Sequence, residues 1–190
     1  MSFAQEKEAA LRKLAVARQD GLTDPGAMTV VDLINNGTGT FTTSSCAGRI
    51  TLMEVPEEDR KRSSRWLGKW HGSVDTDELT VVLSPPPAGP VWLFVQGAIL
   101  HVTCRDLEVA KRLLDRALAA GHKSSGVKGL GHHPVVEVRS TETMALPLIR
   151  DGTPLAGEGY VRAVTEEANR LRERAELRLG RLERELEGWS

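Results

Sequence analysis

The side chains best suited to bind a ligand or take part in a reaction lie in one decapeptide, Phe41-Thr-Thr-Ser-Ser-Cys-Ala-Gly-Arg-Ile50. Four consecutive hydroxyl side chains are followed by a thiol, a small Ala-Gly pair and a guanidinium. Such a set could supply a nucleophile, a phosphate cradle or the lining of another ligand pocket. Hydroxyl residues in a row on a strand occupy both of its faces, and Gly48 lets the backbone come close to a ligand. This pattern favours a polar pocket over a solvated strand face.

A nucleotide-binding glycine loop is one alternative, because Gly37-Thr-Gly39 stands just before the decapeptide. In dinucleotide-binding folds the glycines follow a strand and open a helix, so that the helix N-terminus meets the pyrophosphate. Here the predicted order is helix then strand, the third glycine is missing, and no Gly-Lys-Ser/Thr triplet occurs. The sequence therefore argues against a Rossmann or P-loop site.

Cysteine and metal chemistry are two further alternatives. Cys46 would act as a nucleophile only with a histidine partner and a lowered pKa, so we interpret it as a pocket residue and keep a cysteine-dependent hydrolase as a minor hypothesis. A metal could recruit Cys46, His101, Cys104 and the pair His132-His133. However, His101 and Cys104 are three residues apart on a predicted strand and point to opposite faces. We predict no metal site.

A basic and aromatic segment surrounds Trp66 and Trp70. Cations that pair with phosphate alternate there with rings on which bases can stack, although the same charges could simply be solvated. The predicted RNA-binding residues are Arg60, Lys61, Arg62, Arg65 and Lys69. A second cationic, glycine-rich stretch, residues 121–133, is interpreted as a hairpin.

The composition is that of an ordinary globular protein. Its 190 residues are 40% hydrophobic, and 25 Lys and Arg balance 26 Asp and Glu, so a basic surface must be local. Two distant cysteines and a charged N-terminal segment indicate a reduced, cytoplasmic protein with neither signal peptide nor anchor. We expect no membrane or DNA partner, and the oligomeric state is left open.

The elements that must position these residues alternate between helical and extended patterns. Helices are predicted at residues 2–20, from Asp24 to 34, near Asp75, at 106–120 and at 159–188. Strands are predicted at 40–43, 50–55, 66–71, 91–95, 98–103, near 127, at 135–138 and at 144–149. The sum is an α+β fold, a compact mixed α/β single domain with short strands that is not Rossmann-like. We expect a core of residues 1–158 and a C-terminal amphipathic helix of residues 159–190, packed on the core or extending from it.

Four segments carry a family resemblance: Phe41–Ile50, Ile99-Leu-His-Val-Thr-Cys-Arg-Asp-Leu107, Ser124-Ser-Gly-Val127 and Val138-Arg-Ser-Thr141. In order and spacing they resemble the tRNA wybutosine-synthesising protein 3 family. The resemblance runs over nearly the whole chain. It implies a fold of its own and methylation, with S-adenosyl-L-methionine, of ring N4 of the tricyclic guanosine derivative at position 37 of phenylalanine tRNA. The alternative is a tRNA-binding accessory protein that has the same fold without catalysis.

The resemblance also implies site residues. The cofactor-binding set would be Thr43, Ser44, Ser45, Cys46, Gly48, Arg49, Leu100, His101, Val102, Ser125 and Gly126. The catalytic residues would be His71, which matches a family histidine, and Asp24, the candidate general base for the proton that the ring nitrogen releases. The family follows that aspartate with another acid, whereas this chain has Pro25. An aspartate before proline is also a helix cap, so both interpretations of Asp24 stay open.

Overall fold

The computed structural model describes residues 2–55 and 64–190. In this part of the chain, helices and two antiparallel sheets form the α+β fold that the sequence predicts. The helices are α1 (Phe3–Gln19), α2 (Met28–Asn36), α3 (Thr76–Val82), α4 (Leu107–Ala119) and α5 (Glu158–Glu185). The strands are β1 (Thr40–Cys46), β2 (Arg49–Glu54), β3 (Arg65–Trp70), β4 (Val91–Gln96), β5 (Ile99–Cys104), β6 (Gly126–Leu130), β7 (Pro134–Arg139), β8 (Thr143–Arg150) and β9 (Thr153–Pro154).

The chain divides into two compact units. Unit 1 comprises residues 1–47, 98–141 and 175–190 and holds the sheet β1-β5-β7-β6; unit 2 comprises residues 48–97 and 142–174 and holds the sheet β3-β2-β4-β8-β9. The boundary between Ala47 and Gly48 falls inside the hydroxyl decapeptide. Helix α5 contributes residues to both units, and the predicted division at residue 158 stays a prediction.

The core of unit 1 lies on one face of its sheet. Alternate strand residues such as Leu100, Val102 and Val136 are fully buried there against apolar side chains of α2, α4 and the end of α5. This alternation is what a strand with one buried face requires. The residues between them, including His101, point to the other face. Helix α1, in contrast, buries no residue fully, and its Phe3 ring contacts Phe41 at a centroid distance of 5.3 Å.

Local caps begin the helices where the sequence predicts. The side chains of Asp75 and Asp106 accept hydrogen bonds from the main-chain nitrogens of Asp77 and Val109. The bond from Val109, followed by that from Arg105, holds the pKa of Asp106 below its ordinary value. Ser2 forms a capping box with Gln5 at the start of α1.

The glycines that suggest a nucleotide loop have a packing role instead. A Cβ atom on Gly37 would lie 2.4 Å from Nε1 of Trp189, and one on Gly39 would lie 3.1 Å from a methyl group of Val109. Gly37 is also the residue at which α2 ends. The predicted order of helix then strand is confirmed, because α2 ends at Asn36 and β1 begins at Thr40.

Unit 2 has its own core between its sheet, α3 and the first part of α5. Ile50, Leu52 and Leu93 are fully buried in it. The Asn169 side chain clamps the segment before α3, because it accepts from the nitrogen of Val74 and donates to its carbonyl oxygen, both at 2.9 Å. Among the described residues, no helix combines the length and apolar character needed to cross a membrane.

Candidate active site

A row of polar residues crosses the sheet of unit 1 on the face away from its core. Ser44 on β1 stands opposite His101 on β5, His101 stands opposite Glu137 on β7, and Glu137 stands opposite Gly126 on β6. Directly opposed residues on antiparallel strands project to the same side. Residues 44, 101 and 126, which lie far apart in sequence, are thereby aligned, with Glu137 between the last two.

A β-bulge decides which hydroxyl joins this row. The pairing passes from Thr42 opposite Val102 directly to Ser44 opposite His101, so Thr43 is the extra residue. In a regular ladder Thr43 would stand opposite His101. The Thr43 hydroxyl instead donates to the carbonyl oxygen of His101 at 3.3 Å. Thr42 has a structural role, since its nitrogen donates to Oδ1 of Asn35 at 2.8 Å.

The side chains of the row are joined by hydrogen bonds. Ser44 Oγ lies 2.8 Å from His101 Nδ1, and His101 Nε2 lies 3.2 Å from Glu137 Oε2. Lys128 Nζ forms an ion pair with Glu137 Oε1 at 3.1 Å, and Arg139 Nη1 lies 4.0 Å from the same oxygen. Both ring nitrogens of His101 are therefore engaged. A hydroxyl, an imidazole and a carboxylate form one continuous chain.

Glu137 is a member of the polar row that the sequence prediction did not include. Its side chain is 9% exposed, and its Oε1 accepts no hydrogen bond although Lys128 is its ion-pair partner. An acid between Val136 and Val138 on a strand reads, in sequence, as a residue on a solvated face. Only the pairing of β7 with β5 shows that the carboxylate contacts a histidine.

Ser44 also opens into a cleft between α1 and β1. The cleft has a volume of about 630 Å³ and lies entirely within unit 1. Its sheet side is formed by residues 41–45 and Thr103, and its helix side includes Glu6, Lys13 and Leu14. Hydroxyls, one carboxylate and one ammonium group thus face a partly apolar space, a composition that suits a polar small molecule.

The sheet of unit 2 carries aromatic and cationic side chains on the face away from its core. Its register aligns Trp66, Met53 and Trp92 in one row and Lys69, Thr51 and Phe94 in the next. The Trp92 and Phe94 rings stack at a centroid distance of 6.1 Å with an interplanar angle of 16°. We call this surface the aromatic face.

Comparison with known proteins decides the family. The family model described as "Methyltransferase TYW3" matches residues 5–188. The chain belongs to the TYW3 methyltransferase family. The family assignment made from the four sequence segments is thereby confirmed.

Curated relatives cover nearly the whole chain. A protein of Thermococcus sibiricus is 38% identical over 187 residues, which are 98% of this chain and 95% of the relative. One of Thermococcus kodakarensis is 39% identical over 98% of this chain and 94% of its own length. Both are named tRNA(Phe) 7-((3-amino-3-carboxypropyl)-4-demethylwyosine(37)-N(4))-methyltransferase, the second with the number 1.

Solved structures show the same fold. The PH1069 protein of Pyrococcus horikoshii matches with a TM-score of 0.92 at 36% identity, covering 97% of this chain and 96% of that one. A hypothetical protein of Aeropyrum pernix matches with a TM-score of 0.76 at 33% identity, over 87% of this chain and 98% of its own. The TYW3 family fold therefore extends over both units.

Asp24, which the TYW3 resemblance implies as the general base, accepts hydrogen bonds from main-chain nitrogens of unit 1. Its Oδ1 accepts from the nitrogen of Gly26 at 3.1 Å, and its Oδ2 accepts from the nitrogen of Ala47 at 2.6 Å. It is also the N-cap of the 3₁₀ turn Pro25–Ala27 that precedes α2. The cap interpretation is confirmed, and a catalytic role stays a prediction.

The other cofactor-binding residues that the TYW3 resemblance implies in unit 1 differ in whether a ligand could reach their side chains. The side chains of Leu100 and Val102 are fully buried on the core face, so a ligand could meet only their main-chain atoms. Ser125 Oγ donates to the carbonyl oxygen of His122 at 2.6 Å and accepts from the nitrogen of Arg139 at 3.0 Å. Gly126 begins β6 opposite Glu137.

Three predicted residues lie in unit 2. A Cβ on Gly48, whose φ is +108°, would come within 2.8 Å of the carbonyl oxygen of Gln96, so this position requires glycine for local packing. Arg49 Nε donates to Gln96 Oε1 at 3.0 Å, and its guanidinium lies 5.2 Å from the Trp66 ring centroid. His71 follows β3, and its carbonyl oxygen accepts from Arg172 Nε at 2.8 Å. Their roles in cofactor binding and catalysis stay predictions.

The predicted RNA-binding residues fall into two groups. Arg60, Lys61 and Arg62 lie outside the described residues. Arg65 binds Glu54 through Nε at 3.1 Å and Nη2 at 2.8 Å. Lys69 is exposed and stands opposite Thr51 on the aromatic face.

Cysteine and metal chemistry are constrained by the same geometry. Burial, with a smaller effect of Asp106, raises the pKa of the Cys104 thiol to about 12, so this thiol is unsuited to nucleophilic attack. Cys104 lies in the core, on the face opposite His101, and the two do not form a joint metal site. Ligand atoms of Glu6, His132 and His133 lie within 4.8 Å of one another and could hold a metal ion.

Proposed function

We propose that this protein transfers the methyl group of S-adenosyl-L-methionine to N4 of 7-(3-amino-3-carboxypropyl)-4-demethylwyosine at position 37 of phenylalanine tRNA. The observation that carries this proposal is the near full-length match to relatives that bear this activity in their names, at 38% and 39% identity. The names also favour one pathway intermediate, which the sequence left open. They identify the aminocarboxypropyl side chain as already present when N4 is methylated.

The cleft of unit 1 is the proposed site of the methyl donor. Its volume of about 630 Å³ lies within the range of small-molecule sites, roughly 300–1,000 Å³. The donor has a sulfonium cation, an ammonium, a carboxylate and ribose hydroxyls, and the cleft offers hydroxyls from Thr43, Ser44 and Ser45 together with Glu6 and Lys13. When bound, it supplies a methyl group activated by the positive sulfur.

The residues of unit 1 would contribute mainly by holding the donor in place. Transfer of a methyl group requires close approach and alignment of the two reacting atoms, so positioning accounts for a large part of catalysis. Hydrogen bonds fix Ser44 through His101, and Thr43 through the main chain of β5. Side chains with few free rotamers lose little entropy on binding. The polar row is suited to orient a ligand.

The aromatic face of unit 2 is the proposed site of contact with tRNA. Trp66 is 49% exposed and stands beside the cations Arg49 and Lys69. Unpaired bases of an RNA loop stack on aromatic rings and guanidinium planes, while lysines neutralise phosphates. Position 37 lies in such a loop, next to the anticodon. Arg65 is less available for phosphate because Glu54 binds its guanidinium.

Labelled donor and defined tRNA test this function directly. Phenylalanine tRNA that carries the aminocarboxypropyl intermediate should gain one methyl group at N4 of nucleoside 37, read by mass spectrometry of the digested tRNA. The same tRNA with unmodified guanosine 37 is the control and should gain none. Donor and tRNA binding without transfer would contradict the enzyme proposal and favour the accessory alternative. Transfer to the control alone would contradict the proposed substrate.

A further inference from the structure

Methylation at N4 leaves a proton to be removed, and the polar row offers a group to accept it. A general base must lie within hydrogen-bond reach of the proton, directly or through one bridging group. Asp24, inferred as the base from the resemblance, already accepts main-chain hydrogen bonds on both oxygens. Ser44, in contrast, lies in the wall of the cleft and is backed by His101 and Glu137.

We propose that Ser44, His101 and Glu137 form the proton-accepting chain of the methyl transfer, with Glu137 as the residue that positions His101. This inference rests on the proposed function. It assigns a role to Glu137, a residue outside the sequence-predicted site. It also moves the accepting group from Asp24 to the imidazole of His101.

The hydrogen bonds of the row determine the tautomer of His101. Glu137 Oε2 is an acceptor 3.2 Å from Nε2, and Lys128 Nζ forms an ion pair with Oε1 at 3.1 Å. Nε2 therefore carries the ring hydrogen, and Nδ1 has a free electron pair. That pair accepts the hydroxyl hydrogen of Ser44 at 2.8 Å.

This tautomer has a consequence for the cleft. Because the Ser44 hydrogen is directed at His101, the oxygen presents only electron pairs toward a ligand. Such an oxygen accepts from an N–H donor, which is what the unmethylated ring nitrogen offers. A hydroxyl backed by imidazole and carboxylate is the arrangement by which serine hydrolases move a proton, used here for removal of a substrate proton.

N4 forms a bond to the methyl carbon while the carbon–sulfur bond breaks, and the sulfur keeps that electron pair as a neutral thioether. The N4 proton passes to Ser44 Oγ as Ser44 gives its own hydrogen to His101 Nδ1. The resulting imidazolium is stabilised by the Glu137 carboxylate. Solvent then removes the proton from the ring.

Other charged groups near the chain set its pH dependence. Lys128 on β6 and Arg139 on β7 face Glu137, and Glu6 and Lys13 of α1 line the cleft beside Ser44. The two cations oppose an imidazolium, whereas Glu137 directly favours it. Removal of the Glu137 charge alone should therefore make His101 a weaker proton acceptor.

The test compares Glu137→Gln, Ser44→Ala and His101→Ala with the wild type in single-turnover methyl transfer at saturating donor and tRNA, over a range of pH. Glutamine keeps an acceptor for Nε2 but removes the charge. In the wild type we expect the rate to rise with pH as His101 loses its proton and can accept one from Ser44; this rise is the limb of the pH–rate profile. We expect the rate of Glu137→Gln to fall about 10-fold or more at neutral pH and its limb to move to lower pH. His101→Ala should lose the limb and roughly 10²-fold or more in rate. Ser44→Ala, which interrupts the path from N4 to the imidazole, should also lose most of the rate.

Controls separate this chain from folding and from donor binding. Glu8→Gln, an exposed α1 residue paired with Arg12, should leave rate and pH profile unchanged. Donor affinity of Glu137→Gln by calorimetry should stay within about threefold of the wild type, because the charge is needed for the proton step.

Three outcomes would overturn the inference while the proposed function stands. One is a Glu137→Gln or Ser44→Ala enzyme with the wild-type rate and limb. Another is a limb that disappears in Asp24→Asn and persists in His101→Ala. The third is loss of donor binding equal to the loss of rate, which would give Glu137 a binding role alone. A wild type that transfers no methyl group would instead contradict the proposed function itself.

Discussion

The main-chain nitrogen of Ala47 donates to Oδ2 of Asp24 at 2.6 Å, across 23 positions of the sequence. The other oxygen of Asp24 caps the turn at Gly26. One carboxylate thus ties the start of α2 to the residue that follows β1. The end of the hydroxyl segment is held in place by a helix cap.

Replacement of Asp24 by alanine should destabilise the fold. Loss of a cap costs about 0.5–2 kcal/mol, and an unsatisfied nitrogen at Ala47 adds about 1 kcal/mol. We expect the free energy of unfolding to fall by about 1–3 kcal/mol in chemical denaturation. Asp75→Ala, which removes a cap bond from Asp77 alone, is the matched control and should cost less. A fully stable Asp24→Ala protein that has lost methyl transfer would instead support Asp24 as the base.

Substitutions on the aromatic face should weaken tRNA binding in two distinguishable ways. Trp66→Ala removes a stacking surface and should cost about 1–3 kcal/mol in affinity, with little change in salt dependence. Lys69→Ala removes one phosphate contact and should lower the slope of log affinity against log salt by about 1. Fluorescence anisotropy with labelled tRNA at several salt concentrations measures both. Lys123→Ala, an exposed lysine of unit 1, is the control, and equal losses in all three variants would refute a specific surface.

Two glycine-to-alanine substitutions should act in opposite directions. At Gly37 the new Cβ would lie 2.4 Å from Trp189 Nε1, which donates to Thr40 Oγ1 at 3.0 Å, so we expect a loss of about 1–3 kcal/mol. At Gly180, within α5, nothing lies within 4 Å, and alanine should stabilise the helix by about 0.5–1 kcal/mol. Thermal and denaturant unfolding of the two variants measures these changes in the free energy of unfolding. A tolerated Gly37→Ala would contradict the packing role of this glycine.

The ion pair of unit 2 should make stability depend on pH in the acid range. Hydrogen bonds from Arg65 are the largest influence that holds the pKa of Glu54 below its ordinary value of 4.5; burial opposes them, and the nitrogen of Gly89 assists them. Because the folded pKa is depressed, the pair stabilises the fold above the ordinary pKa, and this contribution is lost as pH falls through the folded value. Arg65→Met should raise the pKa of Glu54 and cost up to about 1 kcal/mol near neutral pH.

Side-chain carboxyl NMR titration measures this shift. Arg170→Met removes an exposed arginine paired with Glu166 and Glu167 and should leave the Glu54 titration unchanged. An unchanged Glu54 titration in Arg65→Met would show that Arg65 is not the cause.

Much of the secondary structure could be predicted because its causes are local. Asp106 before an apolar helical pattern predicts the start of α4, and the structure has the cap at that residue. Three β-branched residues, Val135, Val136 and Val138, predict a strand, and they lie within β7. Each of these patterns acts within a few residues, so neighbours in the chain suffice to produce it.

The candidate site was predictable only in part. The resemblance identified Ser44, His101 and Gly126, which the structure aligns in one row. It did not include Glu137, and it grouped Leu100 and Val102 with His101 although their side chains point into the core. A sequence motif joins consecutive residues, whereas a strand sends them to opposite faces.

The sequence by itself determined the family, the order of helices and strands and the local caps. Tertiary structure decided which strands pair. β1 and β2, neighbours in the chain, enter different sheets, and a bulge at Thr43 selects Ser44 as the partner of His101. Such choices depend on burial of apolar faces contributed by distant segments, and a shift of one residue would turn every side chain to the other face. For this reason the contact of His101 with Glu137 exists only in the folded protein.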